Sequence, residues 1–578
     1  MGVRPQFPQK PGRRRPGGGG RGQARSAQGP DSHSSPAPDP HPRPAPETLT
    51  YFRRALEALK EAPETGEERE LLIQNVLKEL ETQAVALATD RMGSEMLQEL
   101  LTSSPPGPLS RLFAALLPHL RSVACHRSGA HVLQSVLLQL HRFSGALAKK
   151  EDGDPETLEE LVLKLASEVR DALVLYSGDT HGSFVVRTLL QVLGGTILES
   201  EIARPRGPQT LDKQRPTARE WKPTSFEVPS AFLNCLQELS SCFLKDISVF
   251  ITDKVSSFCL QVALQVLHRK LPKACTCLCD SVIKYLSTRN SAADGSPLLL
   301  FLRDQTSSRL LEQRLLDAIT TPELLSQVFE ELSPALEAVL AQGHPGVVIA
   351  LVGACRRVGT HQAQILQLLL EAFHCAEPPS RQVACVPLFG TLTAYEVYYG
   401  LELEEDVPSE HKMEIATARP LGDVTVPGSL LLQHLLHFSN LSPVLRSLTS
   451  MEGPQLLALA QSPAGSHVLD AVLTSSTVTK KQRRRILQPL KGHYVALACS
   501  RHGSRVLDAI WNGATLGTRK EIAAELGEQD QELMRDPFGH HVARNVGLST
   551  FLKRRGDWEQ QQGAVAKRRK ALSTILGD

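Results

Sequence analysis

From Thr48 onward, apolar residues recur at i, i+3, i+4 and i+7, as in TYFRRALEALK and ERELLIQNVLKELETQAVAL. That spacing places one buried face on an α-helix. The pattern continues to about residue 550, with no convincing stretch of alternating strand. So long a helical text is more than one globule needs, and it directs attention to internal repeats.

A short motif does recur. It reads MGSEMLQELL from Met92, SGAHVLQSVL from Ser128, HGSFVVRTLL from His181, VSSFCLQVAL from Val255 and TSSRLLEQRL from Thr306. It returns as PGSLLLQHLL from Pro427, AGSHVLDAVL from Ala464, HGSRVLDAIW from His502 and FGHHVARNVG from Phe538. The third motif residue, in most copies small and preceded by glycine, marks each copy: Ser94, Ala130, Ser183, Ser257, Ser308, Ser429, Ser466, Ser504 and His540. Four of the eight intervals are 36, 37, 38 and 36 residues. The interval from 308 to 429 has room for two degenerate copies, with markers at Pro345 and Arg381, which gives eleven units. The longer intervals call for insertions, and the polar, breaker-rich segments 204–224 (basic) and 402–412 (acidic) fit that role.

Within the unit at Gly503, Val506, Leu507 and Ile510 form one apolar stripe. Ser504 and Asp508, four apart, are expected on the opposite, exposed face with Arg505 beside them. Each unit thus presents a triplet at offsets 0, +1 and +4, and stacking the units lines the triplets along one surface. The expected fold is all-α, a curved α-solenoid of about eleven helical repeats spanning residues 48–550.

The period and the Gly-Ser-Arg-Val-Leu-Asp pattern resemble Pumilio (PUF) repeats across roughly residues 90–550. The resemblance implies an RNA-binding surface in which positions 0 and +4 meet a base edge and position +1 stacks between bases. On that basis Ser308, Arg309 and Glu312 resemble a guanine-reading set. Ser94 with Gln98, and Ser257 with Gln261, resemble adenine-reading sets. His131, Phe184, Phe258 and Arg505 are sensible stackers. Gln134, Ser429, Gln433, His467 and His541 complete the candidate surface. Several units depart from the family pattern: Glu95 and Leu430 stand where a stacker belongs. Ser183 is matched with Arg187, His540 with Arg544, Ser466 with Asp470 and Ser504 with Asp508. The expectation is therefore partial base reading combined with shape and backbone contacts. More than eight units, together with the terminal segments, resemble an atypical nucleolar branch of the family. That likeness implies a nucleus- and nucleolus-resident factor that binds precursor small-subunit (18S) rRNA within pre-ribosomal particles and acts non-catalytically in its processing.

Composition adjusts this picture little. The 578 residues carry 64 Lys plus Arg against 62 Asp plus Glu, so any nucleic-acid surface must come from charge distribution, not net charge. Aromatic residues make up only 5%, which favours helix over sheet. Residues 1–47 hold 11 Pro and 8 Gly with almost no large apolar residue, and are expected to be a disordered Arg/Gly/Pro-rich tail. No apolar run approaches a membrane span, the N-terminus lacks a secretory h-region, and the 11 cysteines read as reduced thiols. Residues 551–578 read as a basic tail. Its clusters Lys553, Arg554, Arg555 and Lys567, Arg568, Arg569, Lys570 resemble a bipartite nuclear import signal. Lys480, Lys481, Arg483, Arg484 and Arg485 form another basic cluster, suited to phosphates or to a wet helix face. The C-x-C-x-C run Cys275, Cys277, Cys279 with His268 has poor zinc spacing, so no metal or other cofactor is expected. There is no P-loop, HExxH or nucleophile elbow, and no small-molecule substrate is implied. The rival reading is a HEAT- or armadillo-like protein-binding scaffold.

Overall fold

A computed structural model describes residues 44–61, 67–145, 147, 156–198, 224–290, 313–400 and 421–564. The basic unit has three helices: a short first helix, a second helix that carries the triplet, and a third helix that returns. The first-to-second junction is built the same way in the described units other than the one at Pro345, whose second helix has no side-chain cap. A side chain three residues before the second position of the motif accepts hydrogen bonds from the new helix's first free amides. Asp179 Oδ1 takes the His181 and Gly182 amides at 2.9 and 2.7 Å. Asp536 Oδ1 takes those of Phe538 and Gly539 at 2.7 and 2.7 Å. Asp90 caps Gly93, and Asp253 caps Val255 and Ser256. Where the aspartate is missing, Ser462, Ser500, Thr425 or the Nδ1 of His126 accepts instead. Asp179→Ala should therefore cost about 0.5–2 kcal/mol, read as a lowered thermal midpoint.

The glycine of the motif is required by the same junction. The second helix starts directly against the first, and a Cβ on Gly129 would sit 2.4 Å from the Val123 carbonyl oxygen; at Gly503 the distance to the Leu497 oxygen would be 2.7 Å.

Units stack through like helices. The second helices Arg91–Leu101, Gly129–Gln139, Gly182–Leu193 and Ser256–Lys270 pack each on the next. So do Pro345–Val358, Val426–Leu435, Gly465–Thr474, Gly503–Gly513 and Gly539–Val546. The third helices Pro106–Leu116, Leu158–Asp171, Ser230–Lys245, Pro272–Asn290 and Pro322–Leu332 form a parallel row. The apolar side chains between rows make one continuous buried cluster from Phe52 to Trp558. The expected all-α solenoid is thus the observed architecture.

Three details differ from the sequence reading. Arg381 does not mark a unit. It lies in the 3₁₀ segment Pro379–Ala384, and the helix after it, Cys385–Thr391, packs on Val426–Leu435 as that unit's own first helix. Pro345–Val358 packs directly on Val426–Leu435, which leaves no place for a second helix between them. The N-terminal pair Pro46–Glu61 and Glu67–Leu80 instead stacks on Arg91–Leu101 and Pro106–Leu116, in the positions of a second and third helix. Folded chain also continues past 550. Residues 555–564 are helical and dock through Trp558, which is buried, donates to the Val546 carbonyl at 2.8 Å and meets Phe551 and Trp511.

The basic insertion is closed at its base by a two-residue antiparallel ladder, Thr196 opposite Ser225 and Ile197 opposite Thr224. The rest of that insertion, the acidic segment 402–412, the triplet Ser308, Arg309 and Glu312, the cluster Lys567 to Lys570 and the tail up to residue 43 lie outside the described residues. No described helix is long and apolar enough to cross a membrane.

Candidate nucleic-acid interface

Position 0 of the triplet is not on an exposed face. Ser94, Ser183, Ser257, Ser429, Ser466 and Ser504 are all buried, Ser183 at 2% exposure and Ser504 the least so at 9%. Five of the hydroxyls donate to the carbonyl three residues back in the junction: Ser94 to Arg91 at 2.9 Å, Ser183 to Thr180 at 3.2 Å, Ser257 to Lys254 at 3.0 Å, Ser466 to Pro463 at 3.2 Å and Ser504 to Arg501 at 3.2 Å. Ser429 reaches Ala464 of the next unit at 2.6 Å. The expectation that Ser504 shares an open face with Asp508 is corrected here. The first turn of each second helix is wedged between its own first helix and the neighbouring unit, so a small side chain that satisfies a local carbonyl is what fits there. His540 takes the same place only half-buried, with Nδ1 2.9 Å from the Asp536 carbonyl.

Positions +1 and +4 carry most of the accessible chemistry. In the first half of the solenoid they form a run that crosses unit boundaries. The His131 and Phe184 rings lie 6.0 Å apart. The Arg187 guanidinium sits 4.3 Å from the Phe184 centroid and 5.7 Å from that of Phe258. Arg187 Nε also donates to the Ser183 carbonyl at 3.2 Å, which fixes its stem. Gln134 lies 3.2 Å from His131 and donates to Thr188 of the next second helix at 3.1 Å. Gln98 donates to the Ser94 carbonyl at 3.0 Å, exposed Glu95 pairs with Arg91, and Gln261 is buried. Aromatic faces bracketing a held cation over three consecutive units are a platform for flat π-systems.

The second half is more polar. Gln433 donates to Ser429 Oγ at 3.0 Å. His467 Nδ1 lies 3.6 Å from an Asp470 oxygen. Asp508 accepts from Asn545 of the next unit at 3.4 Å, and burial raises its carboxyl above the usual range. Arg505, His541 and Arg544 are exposed, and the His540 and His541 rings lie 3.9 Å apart. Burial, then Arg501, Arg505 and His467, lower His502. The unit at 345 offers Pro345, Gly346 and Ile349, none of which has a polar side chain.

The remaining candidates fall elsewhere. Cys275 and Cys279 are buried one turn apart on Pro272–Asn290, while Cys277 is exposed and cannot join them, because alternate residues on a helix point apart. The Cys275 thiol donates to the Leu264 carbonyl at 3.7 Å, and the neighbouring Cys275 together with burial pushes the Cys279 thiol up. Lys480, Lys481, Arg484 and Arg485 are exposed on a third helix, Lys480–Leu487, away from the triplet-bearing second helices. Arg483 of that cluster turns inward to the Val472 carbonyl at 3.0 Å and to that of Ser475. Lys553 ends the helix Leu548–Lys553, Arg554 pairs with Asp557, and Arg555 lies over Phe551 and near Glu559, so this basic cluster is part of the folded cap.

Three-helix units, a glycine-led second helix and second helices stacked in one row define a Pumilio-type repeat solenoid. The chain belongs to the family of the NOP9-like PUF repeat domain, which matches residues 82–322 and 313–541. This settles the architecture against the HEAT or armadillo alternative. Nucleolar protein 9 of Homo sapiens is 68% identical over 100% of both chains, and that of Mus musculus is 66% identical over 92% of this chain and 91% of its own. At that likeness the protein is nucleolar. Pumilio homolog 23 of Arabidopsis thaliana is 24% identical over 90% of this chain and 73% of its own. The solved structure of APUM23-GGAAUUGACGG has the same fold, with a TM-score of 0.63 at 23% identity over 90% of this chain and 100% of that one.

Proposed function

We propose that this protein binds single-stranded RNA along its row of second helices. The +1 side chains would stack on bases, the +4 side chains would select base edges, and the buried position-0 serines would act as small spacers that let bases approach. The observation that carries this reading is the run His131, Phe184, Arg187, Phe258, which crosses unit boundaries where consecutive bases would lie. The RNA is precursor small-subunit (18S) rRNA within pre-ribosomal particles. The protein works on it by binding, so its effect on processing is non-catalytic. Support comes from the nucleolar relatives and from the RNA GGAAUUGACGG bound by APUM23. Base readout is partial: Arg187, Asp470, Asp508 and Arg544 suit charge and shape contacts as much as a one-base code. The triplet Ser308, Arg309 and Glu312 belongs to the same reading as a guanine site.

Crosslinking in cells followed by sequencing of bound RNA tests this directly. Reads should concentrate on precursor rRNA, and reads spread over messenger RNA would overturn the target. Labelled GGAAUUGACGG should bind the purified protein with an affinity that falls steeply as salt rises; a salt-insensitive interaction would point away from phosphate contacts. Because Lys553, Arg554 and Arg555 sit in the folded cap, Lys567, Arg568, Arg569 and Lys570 are assigned the larger share of nuclear import. Changing these four to alanine should move a fluorescent fusion to the cytoplasm, and an unchanged nucleolar signal would refute the import role.

A further inference from the structure

We propose a second RNA contact, a phosphate-binding patch built by Arg269, Arg314, Arg356 and Arg357 where the C-terminal ends of neighbouring second helices converge. It lies outside the triplets. It rests on the RNA-binding reading above and adds to it the place where the backbone is held.

Residues 313–318 are helical and sit between Ser256–Lys270 and Pro345–Val358. His268 Nδ1 lies 3.1 Å from the Ala318 carbonyl, Gln265 lies against Arg314, and Arg357 donates to the Leu316 carbonyl at 2.6 Å. Pro345–Val358 in turn meets Val426–Leu435 closely, where Gly353 faces the His434 ring. These contacts gather guanidinium groups from three successive units, with the neutral His434 ring of the next unit beside them. Asp317 is the one carboxylate ion-paired with any of the four arginines among the described residues, at 3.5 Å from Arg314 and 3.9 Å from Arg357. Arg356 is exposed, and among the described residues its guanidinium hydrogen-bonds to the imidazole Nδ1 of His434 alone, at 3.4 Å. Arg269 is exposed and has no ion pair among the described residues. His437 stands beside Arg356.

The mutual electrostatics agree with this geometry. Burial, then Arg356, Arg357 and His437, push His434 down to about 4, so it stays neutral and accepts from Arg356. Burial and then the neighbouring Arg314 lower Arg269. A helix C-terminus favours a cation on its own, and Arg357, bonded to a carbonyl and to Asp317, meets that need. Arg269 and Arg356 exceed it. Excess guanidinium charge next to groups that repel it is suited to a phosphodiester, which accepts forked hydrogen bonds from arginine.

The patch also explains the unit at 345. Its Pro345, Gly346 and Ile349 cannot read a base edge, yet the same helix carries Arg356 and Arg357 at its far end. RNA passing this unit is held by its backbone there and not by its bases.

The test uses the full chain and two labelled RNAs, GGAAUUGACGG and the same sequence flanked by oligouridine, with binding measured over a series of KCl concentrations. The variant R269Q/R356Q removes two exposed charges and leaves the bonded Arg357 and Arg314 in place. It should weaken binding of the flanked RNA about ten-fold and reduce the salt slope by about 1.4, the share of two phosphates on a single strand. Preference between matched and base-substituted RNAs should stay as in the wild type. K480Q/K481Q, with the same charge loss on a third helix, should change binding much less. Equal losses in the two variants would reduce the effect to diffuse charge and overturn the site. So would unchanged affinity and slope in R269Q/R356Q while the wild type binds. If the wild type binds neither RNA, the RNA-binding reading itself falls, and this site with it.

Discussion

A protein carrying Phe184→Ala and Phe258→Ala should bind its RNA about 2–6 kcal/mol more weakly, roughly 30-fold or more, at ~1–3 kcal/mol for each base–aromatic stack removed. Both rings are only half-buried, on second helices whose cores are made by other residues such as Val185, Leu189, Leu260 and Leu264. The solenoid should therefore keep its helical circular dichroism signal. Arg187 should lose its cation–π support from both sides and swing out, so the loss should exceed the sum of the single Phe184→Ala and Phe258→Ala effects. Arg187→Lys keeps the charge but not the flat guanidinium. It should fall between wild type and the double variant, whereas an effect of charge alone would leave it equal to wild type. RNA affinity by filter binding on these four proteins decides the matter. Undiminished binding by the double variant would remove the platform from the proposed function.

The largest stability effect is expected at the repeat glycines. Gly129→Ala would place a Cβ 2.4 Å from the Val123 carbonyl oxygen and 2.9 Å from its Cγ1. A backbone atom cannot rotate away, so the first helix of the unit must shift. Overpacking of this kind costs about 1–3 kcal/mol and occasionally more. The shift also moves His131 and Gln134, which lean on the next unit through Phe184 and Thr188. Gly513→Ala is the opposite case. That glycine is helical with nothing within 4 Å of its added methyl. It should be neutral or raise stability by about 0.4–1 kcal/mol through the unfolded chain. Urea unfolding of the two variants should move in opposite directions. A Gly129→Ala protein as stable as wild type would show that the first and second helices are not held as closely as the structure has them.

Much of this was legible in the sequence because the fold is a repeat. A helix that contacts only its neighbours in the stack needs only a local apolar stripe, and the stripe Val506, Leu507, Ile510 is visible wherever the motif recurs. The positions +1 and +4 were legible for the same reason, since spacing on one helix sets which side chains share a face. The junction aspartate three residues before the second motif position, as in Asp90, Asp179, Asp253 and Asp536, was equally present as a pattern, but the motif was framed to begin after it.

What the sequence by itself determined was therefore the class of architecture, the period of the units and which side chains share one face of each second helix. Tertiary structure alone decided the depth at which they sit. Helical spacing fixes direction but not how closely the neighbouring unit covers a turn, so the position-0 serines read as exposed and are buried. It also decided which segments count as units. Arg381 has the right spacing, but a unit is defined by a second helix packed between two others, and that place is taken by Pro345–Val358 meeting Val426–Leu435. Finally, it decided the meeting of Arg269, Arg314, Arg356 and Arg357. They come from helices as much as 88 residues apart and are brought together only because each second helix ends beside the next.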